Sequence, residues 1–359
     1  MCIRDRVKDY GPEKAKGFFE ILIRNITIPF DKVPDYVKDY IDRMALPAPG
    51  TDLERVKRGQ KVFADFGPEM ALMLYFKSLP TSYLNWRGVQ VLHITGRMAE
   101  KRAWPEVFAR RIGETTQFLM DVMNPGSLDP RGEGVHTVLK VRLVHASVRY
   151  FISKSPKWNE AEWQKPINQE ELVFTLLTFS LVMAQGLEQL KIDLPKEQAE
   201  DFLYAWSVVG HYLGIVPELI PANMEDAAEL QERIHERQFG ESDAGKEVTK
   251  ALTDFAKEIM IPGKTMDNTP DELVRFFMGP TYSNMLGVED HTGCLSNLIP
   301  GAFQKSFGML NKMEDKSKGF EKIGNKLGLL VLRGFIKRFK SVKGRGLVIP
   351  EEMAKAWGV

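Results

Sequence analysis

Apolar residues recur along most of this chain at three- and four-residue spacing, the period of an α-helix with one buried face, and the alternation expected of strands is scarce. The spacing predicts helices near 13–23, 33–45, 51–65, 69–77, 87–99, 105–123, 135–153, 225–238, 244–259 and 270–278. Start and stop signals agree with it. Thr269-Pro270-Asp271-Glu272 combines a capping hydroxyl, proline in the first turn and a capping-box glutamate. Asn168-Gln169-Glu170-Glu171 opens the run Leu172 to Ala184 by the same logic. Pro195 opens a helix to about Leu213, where Gly214 suits the left-handed residue past its end. The run from Leu172 to Ala184 is shorter than the roughly 20 residues of a spanning helix, so it predicts a buried core helix. The reading is an all-α chain: a helical extension over 1–50, one catalytic-sized domain over 51–300, and an extension over 301–359 packed on that domain or trailing from it.

Charge modifies this picture only at one end. Lys and Arg total 49 against 48 Asp and Glu, so the overall balance points to no nucleic-acid partner. From Lys305 to Arg345 the local charge is +9, with apolar residues interleaved in IGNKLGLLVLRGFIKRFK. The plain reading is an amphipathic helix with a wet cationic face, since Gly328 and Gly334 would weaken it in isolation. Peripheral membrane contact through 323–345 is the alternative. Two cysteines, Cys2 and Cys294, exclude a disulfide framework and a four-cysteine metal site. No apolar secretory stretch stands in MCIRDRVKDY, and the expected location is cytoplasmic.

Candidate chemistry concentrates in two stripes on the helices predicted at 105–123 and 135–153. Arg111, Glu114 and Thr115 stand at i, i+3 and i+4, and Arg142 and His145 at i, i+3. Val138, Val141 and Val148 surround His145 on its helix surface. The intervening segment Asn124 to Gly134 is rich in Pro and Gly, cannot continue a helix and is long enough to let the two helices splay. Spacing alone leaves two readings open. One is a packed histidine beside an ordinary surface ion pair. The other is a flat cofactor between the helices, with a neutral imidazole as axial ligand of a haem iron and polar groups on the opposite side. No Cys-x-x-Cys-His is present, so such a haem would lack thioether links.

The block RRIGETTQFLMDVMNPGSLDPRGEGVHTVLKVRLVHASVR, residues 110–149, resembles the core of the MpaB and latex-clearing-protein oxygenase family. So do SLPTSYLNWRGVQVLHITGRM at 78–98, KPINQEELVFTLLTFS at 165–180 and YAWSVVGHYLGIVPELIP at 204–221. The resemblance covers roughly 75–280 and implies a globin-like helical fold around haem b. His145 matches the family's proximal iron ligand, and Arg142 the arginine three residues before it, a partner for a haem propionate or a neighbouring carboxylate. Arg111 and Thr115 match its distal arginine and threonine. Glu114 stands where the latex-clearing branch carries lysine, so the distal chemistry departs there.

The implied activity is an oxygenase that uses dioxygen on an apolar, unsaturated, chain-like or lipid-like substrate. Glu114, Arg111 and Thr115 are then its candidate catalytic residues, and His145 and Arg142 bind the cofactor. A haem sensor or carrier without turnover, and a haem-free lipid- or partner-binding helical protein, are the alternatives. Among the other histidines, His93 suits a pocket wall or a core position, His136 the start of its helix, and His211 a structural helix end. No HExxH, GxSxG or P-loop occurs.

Overall fold

The helical period in the sequence becomes a layered stack of helices in the computed structural model. It describes residues 35–95, 106–190, 192–260, 268–291, 328–329, 331–334, 336–337 and 348–359. The helix expected at 13–23 and most of the basic segment 305–345 lie outside the described residues. In chain order the α-helices are α1 (Asp35–Met44), α2 (Leu53–Asp65), α3 (Gly67–Met73), α4 (Leu79–Tyr83), α5 (Val89–Ile94), α6 (Glu106–Met123), α7 (Glu133–Ile152), α8 (Glu160–Trp163), α9 (Gln169–Phe179), α10 (Leu181–Gln189), α11 (Lys196–Leu213), α12 (Met224–Gln238), α13 (Asp243–Met260), α14 (Thr269–Met285) and α15 (Glu351–Trp357). Among the described residues there is no strand, only an isolated bridge between Asn85 and Phe239. The fold is all-α, as the periodicity predicts.

Three interruptions have local causes. Between α3 and α4 the chain widens into a π-helical turn over Leu74–Ser78. Pro80 follows at once; its ring offers no N–H and crowds the carbonyl four residues back, which a wider turn accommodates. The predicted single helix through Leu172–Ala184 is two, α9 and α10, broken at Ser180, whose hydroxyl donates to the Leu176 carbonyl. The stretch Gln169–Gln189 is apolar and long enough for a membrane span, but its window is 78% buried, so it is core. In α14, Gly279 precedes Pro280 and adopts φ 74°, kinking the helix instead of ending it near residue 278. At Leu213 the expected signal holds: Gly214 caps α11 with φ 85°.

The core sits between α2, α11 and α7 on one side and α3, α9 and α13 on the other, with Trp206, Tyr75, Phe63, Phe174 and Phe255 fully buried. α2 and α11 approach closely at Gly59, where a Cβ would lie 2.1 Å from the Asp201 carbonyl oxygen of α11. The basic C-terminal segment joins the same core where it is described. Val331 and Leu332 are completely buried, and a Cβ on Gly328 would lie 1.9 Å from the Pro68 carbonyl oxygen. These apolar residues are covered by the protein itself, which favours the plain amphipathic reading.

Candidate functional site

The two stripes face one space. On α6, Arg111, Glu114, Thr115 and Phe118 follow i, i+3, i+4, i+7, and on α7, Val141, Val144, His145 and Val148 follow the same rule. Together they line a cavity of about 250 Å³. It is completed by Tyr83, Val89, Leu92 and Thr95 near α4 and α5, by Glu171, Leu172, Thr175 and Phe179 of α9, and by Trp206 and Leu213 of α11. Its volume is several times that of a water and just below the range of small-ligand sites. Phe118, Phe179 and Trp206 close one side as an aromatic cluster, with the Phe179 and Trp206 ring centres 5.3 Å apart and those of Phe118 and Phe179 6.4 Å apart.

The loop between the stripes sets how close the helices come. Ser127 Oγ donates to the Val122 carbonyl, Gln60 Nε2 donates to the same carbonyl at 2.7 Å, and the Gly126 N–H donates to Gln60 Oε1. Cβ atoms on Gly132 and Gly134 would lie 2.2 Å from the Ser127 carbonyl oxygen and 2.6 Å from its hydroxyl. These contacts tie the loop tightly to α2 and to the end of α6.

His145 is the centre of the electrostatics. Its ring keeps some accessible surface, and it lines the cavity. Its Nδ1 is buried and has no hydrogen-bond partner among the described residues. Burial, and then the cations of Arg111 and Arg149, push its pKa down to about 3, so the imidazole is neutral at neutral pH. Arg111 also lowers the Tyr83 hydroxyl, against the larger upward push of burial. Arg111 Nε is itself buried without a partner among the described residues. Thr115 Oγ1 donates to the Arg111 carbonyl at 2.9 Å, which leaves its lone pairs for the cavity.

Four of the five predicted site residues, Arg111, Glu114, Thr115 and His145, line this cavity. Arg142 does not. Its Nη1 donates to the Tyr212 carbonyl at 3.1 Å, and its guanidinium lies against Gly214, where a Cβ would come within 2.7 Å of it. The structure thus turns Arg142 toward the end of α11. His93 is 43% exposed, pairs with Glu247 at 3.3 Å and is not part of the wall. His136 is half-buried at the start of α7, and His211 lies in the last turn of α11, both with pKa values lowered chiefly by burial.

Glu171 and Tyr83 are wall residues that sequence reasoning passed over. Glu171 carried a signal: it shares the spacing 171, 175, 179 with two other wall residues while heading an almost wholly apolar run. Burial raises its pKa to about 7, against hydrogen bonds from the Ile167 and Asn168 backbone.

Comparison with known proteins agrees with this architecture. The chain is 27% identical over 151 residues to "Rubber oxygenase" of Streptomyces sp. (strain K30), a stretch covering 42% of this chain. That stretch spans only 37% of the relative's length. A solved structure of latex clearing protein LCP in the closed state superposes with a TM-score of 0.67 at 20% identity, covering 83% of this chain and 80% of that one, a likeness of fold. The sequence model described as "ER-bound oxygenase mpaB/B'/Rubber oxygenase, catalytic domain" matches residues 81–295, more than half of the chain and all of the cavity wall except Leu79, and the chain belongs to that family.

Proposed function

We propose that this protein is a haem b-dependent oxygenase that uses dioxygen on an apolar, unsaturated, chain-like substrate, with His145 as the axial iron ligand. The observation that carries the reading is the His145 ring: neutral, on the wall of a ligand-sized cavity, with a buried Nδ1 that no described residue satisfies. A buried ring nitrogen with no partner among the described residues is costly unless something else uses it. The fit to a haem rests also on the apolar wall offered by Val141, Val144, Val148 and the aromatic cluster. Bound haem would supply redox-active iron for dioxygen chemistry.

The remaining roles belong to this chain. Arg111 places a permanent cation beside the cavity and, with burial, keeps His145 unprotonated and able to bind metal. Thr115 offers hydroxyl lone pairs, since its proton is held by the Arg111 carbonyl. Glu114 brings a carboxyl group to the cavity wall from α6, where a lysine is expected in the latex-clearing branch. Arg142 is a positioning residue: it ties α7 to the end of α11 and so fixes the helix that carries His145. The apolar remainder of the wall selects an apolar substrate and excludes water.

Oxygen consumption by the haem-loaded protein tests the reading, with squalene and a polyisoprene latex as substrates. Glu114→Gln is expected to keep its haem and lose most of the substrate-dependent oxygen uptake. Haem retained with no uptake in parent or variant would turn the reading to a haem carrier. A protein that takes up no haem would leave an apolar ligand-binding helical protein.

A further inference from the structure

We propose that the segment 348–359 belongs to the scaffold of this cavity: through Gln117 it holds α6 in the rotation that presents Arg111, Glu114 and Thr115 to the space shared with His145. Gln117 is then a positioning residue, and its consequence for turnover rests on the oxygenase reading above. The segment lies beyond residues 81–295, the catalytic-domain stretch.

The contact between segment and helix is reciprocal. On α6, Glu114, Gln117, Phe118 and Asp121 follow i, i+3, i+4 and i+7, so Gln117 stands one turn beyond Glu114. Its Nε2 donates to the Val348 carbonyl at 3.0 Å, and the Val348 N–H donates to its Oε1 at 2.8 Å. The side-chain amide thus pairs with the Val348 backbone in both directions, as a peptide group of a neighbouring chain would. Nε2 also donates to Asp121 Oδ1 at 2.7 Å, and Thr137 Oγ1 of α7 donates to Asp121 Oδ2 at 3.2 Å. One network therefore joins the segment, α6 and α7 beside the turn that carries Glu114.

The far end of the segment is anchored. Trp357 of α15 is buried, its Nε1–H donates to the Ala64 carbonyl of α2 at 2.7 Å, and its ring fills the space over Gly67 of α3, where a Cβ would lie 1.9 Å from it. Phe63 of α2 meets the same ring edge-on, with centres 5.9 Å apart. α2 reaches α6 a second time through Gln60, which holds the Val122 carbonyl at 2.7 Å. Helix α6 is thereby tied to α2 at Gln117 and at Val122, more than a turn apart, which sets its rotation as well as its distance. A helix that lines a cavity needs such support from outside, because open space supplies no packing to fix its side chains.

Two variants of the full chain break the contact from opposite sides. Gln117→Leu removes the side-chain amide, and Val348→Pro removes the segment's N–H without touching α6. Val348 is 66% exposed, so both variants should melt within about 2 °C of the parent. In haem-free protein, amide hydrogen exchange over 111–121 should quicken about fivefold in both variants while α11 keeps its parental rates. With haem bound, both should keep the parental Soret band, because His145 stands on α7. The C–O stretch of the carbon monoxide adduct, which reports the field of the groups on α6, should shift or broaden, and kcat should fall about tenfold with KM within about twofold. Parental α6 exchange in either variant, or a parental C–O stretch and kcat despite faster exchange, would overturn the proposal. A parent that binds no haem would overturn the oxygenase reading instead, and the exchange rates would still decide whether the segment holds α6.

Discussion

The protein buries charge between helices in two places and finishes only one of them. Between α2 and α11, Asp201 is 4% exposed and receives Arg55 Nε at 2.9 Å and Arg58 Nε at 2.6 Å, with Arg55 also over the Tyr204 ring. Between α6 and α7, Arg111 Nε and His145 Nδ1 are equally cut off from water and have no partner among the described residues. The first cluster is closed and its value is mechanical. The second is open: the residues that carry these atoms line the cavity, and neither atom is paired among the described residues. Unsatisfied buried groups cost stability, so a fold that keeps them beside a ligand-sized cavity is reserving them for something that enters.

That contrast can be broken from either side. The largest effect should come from Gly59→Val, which drives a side chain into the Asp201 backbone where the closed cluster is assembled. A loss of about 3 kcal/mol is expected in denaturant unfolding, with the visible spectrum of the folded fraction unchanged.

The next concerns Glu171 and carries a sign. Its folded pKa of about 7 lies above the ordinary 4.5, so the folded state binds the extra proton between those values. Its favourable contribution is complete below about 4.5 and is lost as pH rises to about 7, roughly 3 kcal/mol in all. Parent minus Glu171→Gln stability, measured by denaturant midpoints across that window, should trace this slope.

Asp201→Ala ranks below these, at about 2 kcal/mol, because the freed Arg55 and Arg58 are 30% and 54% exposed and can turn to water. The smallest change should be Arg111→Met. Removing one member of the open cluster strands no partner at its Nε among the described residues, so stability should move by less than about 1 kcal/mol. Proton titration by NMR should meanwhile show the His145 pKa rising from its value near 3, since Arg111 is the first of the two cations that depress it. A large loss in Arg111→Met, or none in Asp201→Ala, would erase the distinction between the clusters.

Much of this was legible in the sequence because it is local. Helices α6, α7 and α11, the Gly214 cap and the shared faces of Arg111, Glu114, Thr115 and His145 all follow from spacings of three and four and from residues within one turn. What could not be read depends on distant partners. Arg142 is drawn away by the Tyr212 carbonyl, which comes from another helix, and Gln60 of α2 tightens the loop that composition made look loose. Ser180 and Pro80 broke or widened helices whose apolar period continued through them. Glu171 was visible only as a helix-start residue, because its place on the cavity wall depends on the facing helices α6 and α7.

The central claim is that the open cluster is completed by haem on His145. The direct measurement is the visible absorption spectrum of the protein purified from cells supplied with haem precursor, beside His145→Ala. The account predicts a Soret band in the parent and a lost or displaced band in a variant that still folds. A colourless parent, or identical spectra in the two proteins, would contradict it.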